Sequence, residues 1–145
     1  MNPPAPETPS TAAARERRVP GFFSLWLAPV IYLAAIFVIS SQPQPVIAPP
    51  GFFGGDKVAH FGAYAGLGVL LCRAYLGSGL NATAAFWLTV LTASLYGASD
   101  EWHQSFVPNR SADAADWLAD SLGAMVGAVV FLLALRARDR RASIR

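Results

Sequence analysis

The chain has 145 residues, of which 54% are hydrophobic and only 14% charged. A soluble domain of this size carries about a quarter charged residues, so composition points to a membrane protein. A net charge of +2 is too small to suggest a nucleic-acid partner. The single cysteine, Cys72 inside an apolar run, excludes an internal disulfide and a zinc-type cysteine cluster. It reads as a small hydrophobe in a packed helix.

Residues 1–20 are rich in Pro, Ala, Thr and Arg and lack hydrophobic periodicity, which predicts a disordered cytoplasmic tail. The first apolar run, 22–41, follows Arg15, Arg17 and Arg18. It is long for a signal-peptide core and reaches the roughly 20 residues that cross ~30 Å of hydrocarbon. An uncleaved spanning helix is expected there, with a kink at Pro29. Residues 42–55 hold four prolines and three glycines and read as a loop. The second run, 58–76, is interrupted by His60 and Arg73. A Gly-Ser-Gly-Leu-Asn turn at 77–81 leads to the third, 82–99, and the fourth covers 117–135 with Asp120 as its one ionisable group. Residues 137–145 form a basic cytoplasmic tail.

The expected fold is all-α: a multi-pass membrane protein with one domain, 21–136, of four transmembrane helices. Four spans put both termini on one side, and the arginines choose the side. Three precede the first span, five follow the fourth and Arg73 lies at the turn between the second and third. The opposite side has only Lys57 and Arg110, so both termini are expected in the cytoplasm. Trp26, Trp87, Trp102 and Trp117 fall near span ends, as interfacial anchors do.

With that topology, the unusual polar residues gather at the extracytoplasmic ends of the helices. Residues 96–127 contain five carboxylates, a histidine and an arginine between apolar runs, an arrangement usually retained for a purpose. Asp56, His60 and Tyr64 are four apart and share a helix face. Asp56 alone would serve as a helix cap, and Lys57 alone could be snorkelling. Asp100, His103 and Gln104 share another face, with Glu101 beside it. Adjacent Asp100 and Glu101 repel and call for a cation, a proton or a partner. Arg110 is the obvious cation, although its bland reading is a surface charge answering Asp113. Asp116, Asp120, Gly123 and Gly127 make a stripe at spacings of four, three and four. Its glycines allow a close helix approach, and that face is a candidate for pairing with a second copy. A buried, unpaired Asp120 would take up a proton.

Together these motifs resemble the VanZ-like family of small membrane proteins. The resemblance rests on Ser40-Ser-Gln-Pro43, Asp56-Lys-x-x-His60 with Phe61 and Tyr64, and Tyr96-Gly through Asp100-Glu-x-His-Gln104. It continues with Phe106-Val-Pro-x-Arg110, Asp116 and Gly123 to Gly127. One departure stands out: the family pattern usually has asparagine at position 120. The resemblance implies a multi-pass plasma-membrane protein of the cell envelope, in a family named from a member linked to teicoplanin resistance.

Two functions compete. In the first, an outward pocket binds a lipid-linked or phosphate-bearing headgroup, such as that of an envelope precursor, within the bilayer. Its expected binding residues are Gln42, Asp56, Lys57, His60, Tyr64, Asp100, Glu101, Gln104, Arg110, Asp116 and Asp120, with Lys57 and Arg110 as phosphate partners. In the second, a divalent metal held by His60, His103 and Glu101 serves an intramembrane hydrolase or transferase, with Glu101 or Asp116 as catalytic carboxylate. A purely structural bundle would need far fewer charges, since polar contacts between membrane helices contribute only about 1 kcal/mol each.

Overall fold

A computed structural model describes residues 21–43 and 55–144, all of whose regular structure is α-helical. The expected tail 1–20 and most of the expected loop, 44–54, lie outside the described residues. The helices are α1 (Phe22–Ser40), α2 (Gly55–Gly77), α3 (Ala82–Gln104) and α4 (Ala114–Ser143). They run up, down, up and down, so that the end of α1, the start of α2, the end of α3 and the start of α4 meet at one end.

Local chemistry accounts for the boundaries. α1 continues unbroken through Pro29, which is buried. Gly79 adopts a φ of 96° after α2, a left-handed conformation suited to glycine. Asn81 then caps α3 by accepting a hydrogen bond from the Ala84 amide at 2.9 Å. α3 runs five residues beyond the end of its apolar stretch at Ser99, which carries Asp100, Glu101 and Gln104 into the helix. Asp113 caps α4 through the Ala115 amide at 2.8 Å. α4 runs on to Ser143, so most of the basic tail is helical.

α1 and α4 are long and apolar enough to cross a membrane. α2 and α3, with 23 residues each, span about 35 Å at 1.5 Å per residue, but glycine, alanine and polar residues dilute their apolar character. Outward faces are strongly apolar: Phe23, Leu27, Val38, Leu95, Val130 and Leu133 are all exposed. Such continuous apolar surface suits lipid contact. Trp26 and Trp87 lie toward one end, Trp102 and Trp117 toward the other.

The tightest contact joins α2 to α4, which start at the same end and run in the same direction. A Cβ added to Gly123 would fall on the carbonyl of Phe61, one on Gly127 on the carbonyl of Ala65, and one on Gly68 on the backbone of Ala124. Missing side chains therefore let two backbones touch. The Gly123/Gly127 face, a candidate for pairing with a second copy, is covered by α2 of the same chain. Around this seam pack Tyr64, Leu67, Leu71, Ala93 and Ala124. α1 is held more lightly, by Tyr32 donating to the Ala63 carbonyl (3.0 Å) and Tyr96 donating to the Leu33 carbonyl (2.7 Å).

Candidate functional site

All four helices contribute polar residues to the end where 40–42, 55–60, 100–104 and 113–120 meet. The sites spread through the sequence are brought together there, in three neighbouring groups.

The first joins α1, α3 and the loop before α4. Asp100 is buried and accepts from the Ser40 hydroxyl (2.6 Å) and the Gln104 amide (3.0 Å). Gln104 in turn accepts from Arg110 Nη1 (3.1 Å), whose Nε donates to the Gln42 carbonyl (3.0 Å). Gln42 thus contributes its backbone, while its own amide turns back to the Val38 carbonyl. Arg110 makes these bonds to neutral oxygens. Among the described residues no carboxylate forms an ion pair with it.

The second group is at the rim. Lys57 bridges Asp113 (2.7 Å) and Asp116 (2.8 Å). Its hydrogen bond to Asp113, then that to Asp116, raises the Lys57 ammonium above its ordinary range. The hydrogen bond from Lys57, followed by that from the Ala115 amide, lowers the Asp113 carboxyl. Lys57, expected to meet a phosphate, is therefore already neutralised by two carboxylates.

The third group is deeper, between α2, α3 and α4. His60 Nδ1 lies 3.0 Å from Asp120 Oδ1, and its Nε2 is 3.9 Å from Asp56. Glu101 Oε2 accepts the Asp113 amide at 2.7 Å. Gly97 makes room for Asp120: a Cβ there would stand 2.9 Å from its Oδ2. Tyr64 is buried, with its hydroxyl unpartnered among the described residues. His103 stands apart from this group. It pairs with the Ser41 hydroxyl at 3.0 Å and lies against Phe37, so the two histidines do not converge.

Between α1 and α2 a cavity of about 280 Å³ opens beside the first and third groups. Its apolar wall is Ile36, Ile39, Ala59 and Ala63. Its polar wall is Ser40, Asp56, His60, Tyr64, Asp100, Gln104 and Arg110. Lys57, Glu101, Asp116 and Asp120 do not line it. Sequence reasoning gave Ser40, Gly97 and Asp113 no role in the site. Ser40 anchors Asp100, Gly97 admits Asp120, and Asp113 touches Lys57, Glu101 and the first turn of α4. The cap was legible from an aspartate just ahead of an apolar helix; the other contacts arise only on folding.

A family model described as VanZ/LLP1 matches residues 7–135. No curated protein and no solved structure matches the chain. The family model spans the whole polar end and all but the last turns of α4, so the chain belongs to the VanZ/LLP1 family and is a VanZ-like membrane protein.

Proposed function

We propose that the protein is a four-pass plasma-membrane protein with both termini in the cytoplasm. On this reading 21–136 form the transmembrane domain, and the cavity between α1 and α2 opens on the extracytoplasmic side of the cell envelope. There it binds the phosphate-bearing headgroup of a lipid or lipid-linked precursor. The placement follows from the arginines near the two termini. Arg136, Arg138, Arg140 and Arg141 extend α4 beyond the ~30 Å of hydrocarbon at its cytoplasmic end.

One observation carries the binding reading. Arg110 brings an arginine charge without a carboxylate partner among the described residues to a cavity whose other wall is isoleucine and alanine. Guanidinium suits a phosphate through paired hydrogen bonds. Asp56 and Asp100 on the same wall accept hydrogen bonds, and suit hydroxyl or amino groups carried with the phosphate. The aliphatic wall suits the first methylenes of a chain. At about 280 Å³ the space takes a headgroup, not a whole lipid.

The test is binding of polyprenyl phosphate, and separately of phosphatidylglycerol, to purified protein in detergent, followed by native mass spectrometry. Arg110→Ala is expected to weaken binding by about tenfold, which is ~1.4 kcal/mol. Equal binding by wild type and variant would remove the reading. Accessibility of tags at the two termini checks the orientation.

A further inference from the structure

We propose that His60, Glu101 and Asp120 form a binding site for a divalent metal ion of the Mn²⁺ or Zn²⁺ kind, buried where α2, α3 and α4 meet. The three residues each offer a ligand atom, and these atoms lie within 4.8 Å of one another. One imidazole nitrogen and two carboxylate oxygens are donors that such ions accept. Ligands 2.0–2.2 Å from a tetrahedral ion stand about 3.4 Å apart, so atoms within 4.8 Å of one another need close by no more than about 1.4 Å. Rotation of the carboxylates supplies that movement.

Proximity alone would not distinguish a site from a cluster of acids. The unpartnered oxygens do. Asp120 is 0% exposed and Glu101 6%. Each uses one oxygen within the protein: Asp120 Oδ1 toward His60, and Glu101 Oε2 toward the Asp113 amide. The second oxygen of each, Asp120 Oδ2 and Glu101 Oε1, has no partner among the described residues. Leaving two buried carboxylate oxygens bare is costly. A shared proton would satisfy the pair only in part and cancel one negative charge. A divalent cation can take an oxygen from each carboxylate and cancels two charges. Gly97, lacking a side chain, lets Asp120 pack against α3 at this depth.

A second grouping, Asp56, His60 and Asp116, has similar spacing. It is the weaker candidate, because Lys57 already neutralises Asp116 and the Asp56 side chain is 48% exposed. Metal binding in the deeper group does not depend on the headgroup reading, since Arg110 is not a ligand.

The experiment uses the full chain in detergent micelles, stripped with a chelator and equilibrated with Mn²⁺ or with Zn²⁺. Metal content is measured by plasma mass spectrometry, and Mn²⁺ binding by loss of the free-ion electron paramagnetic resonance signal. Wild type is expected to hold one ion per chain. Glu101→Gln and Asp120→Asn are expected to lose roughly 100-fold or more in affinity, while Asp56→Asn and Arg110→Ala bind as wild type does. Circular dichroism confirms that each variant is helical. Should Asp120→Asn fail to fold, Glu101→Gln alone decides. Absence of metal from wild type would overturn the proposal, as would wild-type affinity in Glu101→Gln. Loss of binding in Asp56→Asn with retention in the other two would move the metal to the outer grouping and also overturn it.

Discussion

α2 has two seams, and they are built on opposite rules. Toward α4, Gly68, Gly123 and Gly127 bring backbone onto backbone, with no room for one added carbon. Toward α1 the contact is made by side chains: Tyr32 donates to the Ala63 carbonyl, and Ile36 and Ile39 line the cavity between the helices. The sealed seam fixes the positions of His60, Asp116 and Asp120. The open one leaves a cavity beside that frame. Backbone contact therefore closes one seam, while side-chain contact leaves room at the other.

The largest effect is expected at the sealed seam. Gly127→Leu would drive a branched side chain into the Ala65 carbonyl, which cannot withdraw without moving α2. A loss of about 3 kcal/mol in unfolding free energy is expected, read from denaturant titration in micelles. Near-wild-type stability would show that α2 and α4 are not in backbone contact. At the open seam, Tyr32→Phe removes one hydrogen bond to the Ala63 carbonyl, and a loss of roughly 1 kcal/mol is expected in the same titration. A loss as large as that of Gly127→Leu would erase the contrast.

Ile39→Trp sharpens the comparison from the other side. Ile39 is 67% exposed and lines the cavity, so the larger ring should fill that space while changing stability by no more than about 0.5 kcal/mol. Headgroup binding should fall with the fold intact. Unchanged binding would place the ligand elsewhere.

The smallest effect belongs to pH, at the rim. Asp113 titrates below its ordinary 3.8 when folded, so its pairing stabilises the fold above that value and is lost as pH falls through the depressed one. Lys57 titrates above its ordinary 10.5, so its share is complete below that value and is lost as pH rises through the raised one. Between these limits the Lys57 contribution should be flat, and Lys57→Met should reduce the acid-side loss attributed to Asp113, leaving the part carried by the Ala115 amide. Thermal melts across pH check this, and a midpoint change near neutrality that disappears in Lys57→Met would contradict it.

The helices were readable because each apolar run is bounded by turn chemistry, as at Gly79 and Asn81. The gathering of charge at one end was readable too, because alternating helix direction carries 56–60, 100–104 and 113–120 to the same level. Pairing within that end was not. Lys57 is as close in sequence to Asp56 as a residue can be, yet it chooses Asp113 and Asp116 across the bundle. His60 and His103 looked alike as metal ligands, but α3 turns His103 toward Ser41 and Phe37. Gly123 and Gly127 announced a close helix contact without naming the partner, since a stripe of small residues fits any helix of matching shape. These choices depend on rotation of whole helices, which periodicity sets only to within a face.

The contacts of Lys57 and His60 with α4 also fix an order of events. Their partners Asp113, Asp116 and Asp120 lie 56 to 60 residues further along the chain, and a growing polypeptide emerges N-terminus first at about 5–20 residues per second. For several seconds, then, the start of α2 exists with a lysine and a histidine whose partners Asp113, Asp116 and Asp120 have not been made. The polar contacts of α2 with α4 therefore form only once the last helix has been made.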